Sequence, residues 1–307
     1  MKIDDLIKKL QVEIKETQKG LEQSESFLRL KEIAKIYEGE DRVISFQDIV
    51  ERIKTEEEEL KIMSGWIGLD NLLKGFRLQQ LVVVSALTKS GKTSFLMDLT
   101  TRIEEFNPIW FPFEESAEEL IRKFIENEMN PPKAFTPQNM SGNSIQWIET
   151  KIVESIAKYN TKVVFIDQLD FIVPMSRDDH SLRIGQAMRE LKAIAKKWNI
   201  LIFLICHLTK TKMDDQPTLE NLKGSSSIGQ EADTVILLWR EMKKENGQVI
   251  ISDNVNLSVQ ANRRTGKTGN VKMVYEKGKF IEREWVSGRE EEAKSEREFK
   301  NFANRDF

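Results

Sequence analysis

Several residue types that build specialised sites are scarce in this chain of 307 residues. One cysteine and two histidines exclude a disulfide framework and a cysteine-rich zinc module. No apolar run approaches the roughly 18–20 residues that a membrane-spanning helix needs, so we expect no membrane partner. Met1–Leu10 mixes charged and apolar residues instead of forming a signal peptide, and we therefore expect a cytoplasmic protein.

An excess of basic charge is also missing, because the net charge of the chain is −3. The charge is unevenly distributed. Residues 1–60 hold 16 acidic and 11 basic residues, a net charge of −5, so the other 247 residues carry +2. This balance argues against a wholly basic nucleic-acid coat, but it is compatible with a local basic channel.

Residues 1–63 and 285–307 differ in composition from the segment between them. Residues 1–63 contain no proline, and Ile3, Leu6 and Leu10 lie on one helical face. We predict a helical amino-terminal extension, which is either solvated or docked on a neighbouring subunit. Residues 285–307 are rich in charge and are predicted to form a flexible tail.

Residues 64–284 alternate between strand and helix patterns. Strands are predicted at Leu81–Ser85, Pro108–Phe113, Val163–Asp167, Ile200–Cys206, Thr234–Trp239, Val255–Ala261, Asn270–Tyr275 and Phe280–Glu284. Helices are predicted at Thr93–Glu105, Ala117–Met129, Ile145–Lys158 and Leu182–Trp198. Alternation followed by clustered strands predicts an α/β fold with a mostly parallel sheet and antiparallel edge strands.

A phosphate-binding loop is predicted between the first strand and its helix. Residues 86–93, ALTKSGKT, match the pattern GxxxxGK[ST] except at the first glycine. Backbone N–H groups near Gly91 and the amino end of the helix would bind phosphate, Lys92 would reach the β- and γ-phosphates, and Thr93 would ligate Mg²⁺. We therefore predict that ATP or another NTP binds with Mg²⁺ at Ala86, Lys89, Ser90, Gly91, Lys92, Thr93 and Ser94.

Acidic residues follow two further strands. Asp167 ends the strand Val163–Asp167, and ligands of parallel sheets bind at the carboxyl ends of their strands. We expect Asp167 to complete the Mg²⁺ site with Thr93. Glu114 and Glu115 follow another strand, and either carboxylate could activate the water that attacks the γ-phosphate. Their spacing does not choose between them.

A second GKT sequence occurs at residues 266–268. It lies between two predicted strands, and no helix pattern follows it. A phosphate-binding loop needs the amino end of a helix, so we interpret residues 266–268 as a hairpin turn.

Several blocks of sequence, taken with these motifs, resemble DnaB-type (superfamily 4) replicative DNA helicases. The resemblance is closest to the helicase half of bacteriophage helicase-primases and covers residues 64–284. It lies in GWIGLD at 65–70, FEESAEE at 113–119, LICHL at 204–208, and the segments 221–233 and 259–269. Ala86 is itself typical of the loop in this family. The resemblance implies a RecA-like P-loop ATPase core.

The resemblance also implies roles for individual residues. It assigns the catalytic base to Glu114, the γ-phosphate sensor to His207 and the arginine finger to Arg263, with Arg264 as the alternative. Arg240, after the strand Thr234–Trp239, is expected to add a charge to the nucleotide site. The residues implied to contact DNA are Lys210, Lys212, Lys223, Gly224, Ser225 and Ser226.

The function implied is that of a replicative helicase that hydrolyses ATP, forms a ring and moves 5′→3′ along single-stranded DNA. The implied partners are single-stranded DNA and further copies of the chain in a homo-hexamer, with a primase, polymerase or loader as additional partners. Two alternatives stay open on the sequence. One is a RecA-like recombination or repair ATPase without processive unwinding, and the other is a KaiC-type signalling ATPase that binds no DNA.

Overall fold

The computed structural model describes residues 42–55, 59–87, 90–173, 180–208, 216–222, 225–245 and 248–287. The helices expected within residues 1–41 and the tail expected beyond residue 287 lie outside these ranges. The chain divides into two compact units between Glu59 and Leu60, and the predicted boundaries at 63/64 and 284/285 stay predictions. None of the helices in the described ranges is long and apolar enough to cross a membrane.

The first unit contributes one described helix, α1, Phe46–Thr55. Ser45 and Asp48 form a capping box at its amino end. The N–H of Asp48 donates to Ser45 Oγ, and the N–H of Ser45 donates to Asp48 Oδ2. Phe46, Val50 and Ile53 recur at helical spacing, yet no residue of α1 is buried.

The second unit is built on an eight-stranded sheet with the order β10-β9-β8-β7-β3-β6-β5-β4. The strands are β3 (Leu81–Ala86), β4 (Ile109–Pro112), β5 (Val163–Asp167), β6 (Leu201–His207), β7 (Thr234–Glu245), β8 (Gln248–Asn262), β9 (Gly269–Glu276) and β10 (Lys279–Ser287). Before them, β1 (Lys61–Ile62) and β2 (Phe76–Arg77) form a small antiparallel pair.

The sheet changes direction at β7. The strands β4, β5, β6, β3 and β7 pair in parallel, whereas β7, β8, β9 and β10 pair antiparallel. The predicted α/β fold, with its mostly parallel sheet and antiparallel edge strands, is therefore confirmed. Every residue of β3 is buried, as expected for a strand at the centre of a sheet.

Helices cover both faces of the sheet. They are α2 (Ile67–Leu73), α3 (Lys92–Arg102), α4 (Ala117–Glu126), α5 (Ile145–Tyr159), α6 (Leu169–Ile172), α7 (His180–Lys197) and α8 (Ser225–Glu231), with 3₁₀ turns at Glu104–Phe106 and Leu219–Asn221. Val82 and Val84 of β3 join one core cluster with Phe95 of α3, while Val83 joins the other with Met188 of α7. The alternation along one strand thus divides the core into two layers.

Several elements end at different residues from those predicted. Strands β7 and β8 are longer, because the pairs Met242↔Ile251 and Glu245↔Gln248 extend their hairpin beyond the predicted ends. The helix predicted at Ala117–Met129 ends at Glu126, and Glu128 adopts a positive φ of 56°. The backbone hydrogen bonds of the partner strand β8 sustain the charged extension of β7, residues 240–245, which has no apolar pattern of its own.

Helix α3 is fastened to the edge strand β10 by a buried carboxylate. Asp98 Oδ2 accepts the N–H of Phe280 at 2.6 Å, and Asp98 Oδ1 pairs with Arg102 Nε at 3.1 Å. Trp66 Nε1 donates to the carbonyl of Phe280 at 2.6 Å, and the Arg102 guanidinium lies 4.3 Å from the centre of a Trp66 ring. These contacts fix the helix whose amino end follows the predicted phosphate loop.

Candidate nucleotide-binding site

The carboxyl ends of the parallel strands bring the predicted site residues to one edge of the sheet. Ala86, the last residue of β3, pairs with His207 of β6 on one side and Leu238 of β7 on the other. Pro112 at the end of β4 pairs with Asp167 at the end of β5. The loop after β3, the carboxylates after β4 and β5, and His207 therefore share the edge where α/β proteins bind ligands.

The loop before α3 has the geometry of an anion site. Gly91 lies at φ +88°, which side chains rarely adopt, and its carbonyl accepts the N–H of Phe95 at 2.8 Å. The first N–H groups of α3 therefore have no partner within the helix, and the helix dipole adds positive potential. Ser90 Oγ is buried without a hydrogen-bond partner among the described residues, and its hydroxyl is therefore available to donate to a phosphate oxygen. Lys89 lies outside the described residues.

Thr93 and Asp167 meet at the amino end of α3. Thr93 Oγ1 donates to Asp167 Oδ2 at 2.9 Å, whereas Asp167 Oδ1 is buried without a partner in the described part of the chain. Burial raises the pKa of Asp167 to about 6, repulsion from Glu114 and Glu115 adds to the rise, and the Thr93 hydrogen bond opposes it. A hydroxyl beside an unsatisfied carboxylate oxygen is a donor set that fits Mg²⁺.

Lys92 lies between His207 and the acidic groups. Its Nζ is 3.4 Å from Nδ1 of His207, which is half-buried at the end of β6. Burial lowers the pKa of Lys92, while the carboxylates of Glu114 and Asp167 oppose this shift. A partly desolvated lysine near carboxylates is positioned to bind a polyphosphate.

The two glutamates after β4 have different surroundings. The N–H groups of Phe113 and Glu114 donate to the carbonyl of Asp167, at 2.7 and 3.2 Å, which places Glu114 beside the Thr93–Asp167 pair. Glu115 forms an ion pair with Lys123 of α4. The carboxylate of Glu114 is exposed and has no ion pair or hydrogen bond with the described residues. The geometry therefore favours Glu114 as the group available to a water molecule.

A cleft of about 550 Å³ opens next to these side chains. Its lining residues come from α3, from the segment after β4 and from α4, and they are Thr93, Glu114, Glu115, Glu119, Arg122, Lys123 and Glu126. A polar cleft of this size, next to the loop, offers space for a phosphorylated ligand.

The two predicted finger residues lie in the turn between β8 and β9. Arg263 and Arg264 are exposed, and the N–H of Arg263 donates to the carbonyl of Asp233 at 2.9 Å. No hydrogen bond or ion pair with a described residue involves the Arg263 guanidinium. Residues 266–268 belong to the same turn, so the prediction that this second GKT is a hairpin is confirmed.

Arg240 lies on β7, two residues beyond the Leu238–Ala86 pair. Its guanidinium donates to the carbonyl of Ser252 at 2.6 Å and to Asp253 Oδ1 at 2.7 Å, and it lies over the ring of Tyr275. The structure thus places Arg240 at the same sheet edge as the loop, but bound to β8. Its predicted contact with nucleotide stays a prediction.

The predicted DNA-binding segment is described only in part. Lys210, Lys212, Lys223 and Gly224 lie outside the described residues, while Ser225 and Ser226 begin α8 as backbone. The assignment of these six residues to DNA therefore stays a prediction.

Two buried polar residues, one at this edge and one in the turn that carries Arg263, were not indicated by the sequence. Gln168 directly follows Asp167, and its Oε1 is buried without a partner among the described residues. Asn262 is buried just before Arg263 and organises the turn. An asparagine shortly before a glycine such as Gly266 is typical of turns in which the side chain binds the backbone, and this pattern could have singled it out.

Comparisons with known proteins agree with the fold. The family model of the DnaB-like helicase C terminal domain matches residues 61–134 and 133–281. The replicative DNA helicase DnaB of Rickettsia bellii is 25% identical over 301 aligned positions, covering 77% of this chain and 60% of that protein. The replicative DNA helicase DnaC of Bacillus subtilis is 23% identical over 285 aligned positions, covering 78% of this chain and 61% of that protein. The chain thus spans about 60% of the length of these relatives.

Solved structures share the fold at low sequence identity. A structure described as an ATPase domain superposes with a TM-score of 0.65 and 20% identity, covering 78% of this chain and 97% of that one. A second structure is that of a DnaB-like replicative helicase, and its description concerns its interactions with primase. It superposes with a TM-score of 0.65 and 19% sequence identity, covering 90% of this chain and 76% of that one.

Proposed function

Because the chain belongs to the family of the DnaB-like helicase C terminal domain, we propose that it is a replicative DNA helicase driven by ATP hydrolysis. The observation that carries the proposal is the meeting of Thr93 and Asp167 beside the loop, with Glu114 and Lys92 next to them. Proteins that couple hydrolysis of a nucleoside triphosphate to movement need these four groups at one sheet edge.

Each group has a distinct task in hydrolysis. The N–H groups at the start of α3 and the Lys92 ammonium hold the phosphates, and Thr93 with Asp167 would hold Mg²⁺, which neutralises phosphate charge when bound. Glu114 accepts a proton from the attacking water. Arg263 reaches the γ-phosphate of a neighbouring subunit and stabilises its developing charge, since its guanidinium has no partner in its own subunit among the described residues.

Movement along DNA requires that the nucleotide state change the contacts that the protein makes with DNA. His207 lies 3.4 Å from Lys92, at the carboxyl end of a central strand, and the segment after it contains Lys210 and Lys212. Binding or loss of the γ-phosphate changes the charge next to His207, and the segment that follows it grips or releases the DNA backbone. Contacts to phosphate are independent of base sequence, as a translocase requires.

The proposed assembly is a homo-hexamer around single-stranded DNA, with 5′→3′ movement. A site that needs Arg263 from an adjacent subunit is incomplete in a monomer, because an arginine finger contributes about 10³–10⁵ in rate. A primase is a proposed partner, since one structural relative is described with its interactions with primase. The family match favours this function over the recombination and signalling alternatives.

Strand displacement tests the proposal. We expect the chain, with ATP and Mg²⁺, to displace one strand of a forked DNA substrate, and we expect Lys92→Ala to abolish both displacement and hydrolysis. DNA-stimulated hydrolysis without displacement would instead identify a recombination or repair ATPase. Hydrolysis at the same rate with and without DNA would identify a signalling ATPase.

A matched pair of variants tests the catalytic base. Glu114→Gln should retain ATP binding but hydrolyse ATP at least about 100-fold more slowly, because the amide cannot accept the proton. Glu115→Gln is the control and should stay close to the wild-type rate, since Glu115 is paired with Lys123. The reverse result would move the base to Glu115.

A further inference from the structure

The turn that carries Arg263 is fastened to the end of another helix. Asn262 Nδ2 and Thr265 Oγ1 both donate to the carbonyl of Leu72, at 3.3 and 3.2 Å. Leu72 lies in the last turn of α2, where helical carbonyls have no partner within the helix. The turn therefore satisfies a helix end that would otherwise need water.

The same two side chains also shape the turn internally. Asn262 Oδ1 accepts the N–H groups of Arg264 and Thr265 at 3.2 and 3.3 Å, and Asn262 Nδ2 donates to Thr265 Oγ1 at 2.5 Å. The carbonyl of Asn262 accepts the N–H of Gly266 at 2.9 Å. Asn262 is only 6% exposed, so these bonds are shielded from competing water.

A second hydrogen bond anchors the backbone of Arg263. Its N–H donates to the carbonyl of Asp233, and the Asp233 carboxylate accepts the N–H of Leu81 at 2.7 Å and Lys192 Nζ at 2.5 Å. Leu81 is the first residue of β3, the strand that leads into the phosphate loop. The backbone of the turn is thus fixed to α2 and to β3, while both arginine side chains stay exposed.

We propose that Asn262 and Thr265 are positioning residues that preorganise the Arg263 turn for the active site of the neighbouring subunit. The inference rests on the proposed function, in which Arg263 acts in trans. A finger on a preorganised turn loses little conformational entropy when it inserts, and it meets the phosphate in one geometry. Without the bonds to Leu72, the turn samples other conformations and the guanidinium misses the developing charge.

The kinetic signature separates positioning from nucleotide binding. Asn262→Ala should lower the kcat for ATP hydrolysis by about 10- to 100-fold with an unchanged KM, because its own phosphate loop is intact. Thr265→Val should act in the same direction, and Thr265→Ser, which retains the hydroxyl, should stay near the wild type. Asn254→Ala is the matched control, since Asn254 is an exposed asparagine on the same strand.

Mixing subunits provides the decisive test. Lys92→Ala has a defective loop but an intact finger, and Arg263→Ala has the opposite defect, so their mixture should regain hydrolysis. The mixture of Asn262→Ala with Lys92→Ala should likewise regain activity, whereas Asn262→Ala with Arg263→Ala should not. Thermal unfolding of each variant should show that it is folded.

The outcomes separate the proposed function of Arg263 from the positioning role of Asn262 and Thr265. If Lys92→Ala and Arg263→Ala do not complement each other, the shared site itself is wrong. If they do, but Asn262→Ala complements Arg263→Ala, then Asn262 acts on its own subunit's loop and the positioning role is overturned. Failure of Asn262→Ala to regain activity with Lys92→Ala, while Thr265→Val hydrolyses ATP normally, would overturn it as well.

Discussion

At the scale of single residues, Asp167 shows how burial prepares a site for a cation. It is 2% exposed and has one oxygen bound to Thr93 and one without a described partner. The charged carboxylate therefore lowers the free energy of unfolding unless a cation is bound beside it. The pKa of about 6, set mainly by burial, expresses this cost.

The pH dependence of stability follows from this raised pKa. The folded protein holds the proton up to about pH 6, whereas the unfolded chain releases it near pH 3.8, so stability falls as pH rises through that window and stays lower above it. Asp167→Asn removes the effect, and without Mg²⁺ or nucleotide it should be more stable than the wild type at pH 7.5, by on the order of 3 kcal/mol.

Urea unfolding of both proteins between pH 4 and 8 measures the difference. The gap should open between about pH 4 and 6 and then level off. MgATP should stabilise the wild type more than the variant, because only the wild type retains the full set of Mg²⁺ ligands. A gap that is the same at every pH would contradict the argument.

At the scale of elements, α3 depends on an edge strand that lies far along the chain. Asp98 accepts the N–H of Phe280 and pairs with Arg102, while Phe95 meets Phe280 edge-on with ring centres 5.5 Å apart. The helix that starts at the predicted phosphate loop is therefore held against β10 through both polar and aromatic contacts. The stability of β10 is in this way part of the stability of the site.

Replacing Asp98 tests this connection. Asp98→Ala leaves the buried N–H of Phe280 unsatisfied and removes the ion pair with Arg102, and it should lower the free energy of unfolding by about 2–4 kcal/mol. Urea denaturation measures the change. Glu128→Ala is the control: it removes the exposed ion pair with Lys277 and should cost less than about 1 kcal/mol. Equal costs for the two variants would contradict a special role for Asp98.

At the scale of the whole molecule, α1 has an apolar stripe and no buried residue. Phe46 is 83% exposed and Ile53 is 66% exposed. A stripe of this kind normally packs against a partner. The sequence left a solvated extension and a docked arm as alternatives, and the proposed ring favours docking on a neighbouring subunit.

Disrupting this stripe should affect assembly. Phe46→Glu combined with Ile53→Glu, or deletion of residues 1–60, should convert the proposed hexamer into smaller species, because charges in an apolar interface are costly to bury. Lys54→Glu is the control and should leave assembly unchanged. Size-exclusion chromatography with light scattering, in the presence of MgATP, measures the result. An intact hexamer in both altered forms would exclude the extension as the ring contact.

Local chemistry made much of this protein predictable. The loop 86–93 was recognisable because its glycine, lysine and threonine are adjacent in the chain and lie between a strand pattern and a helix pattern. The strand order along the chain and the parallel core followed from periodicity in the same way. The turn at 266–268 was separable from a second loop because its neighbours are both strands.

The tertiary structure decided what depends on residues far apart in the chain. Thr93 and Asp167 are 74 residues apart and meet because parallel strands end at one edge. Asn262 anchors the turn that carries Arg263 to Leu72, 190 residues away. The sequence by itself determined the kind of chemistry, because residues adjacent in the chain carry it. Only the tertiary structure decided which side chains come together in one site, because that depends on packing between distant segments.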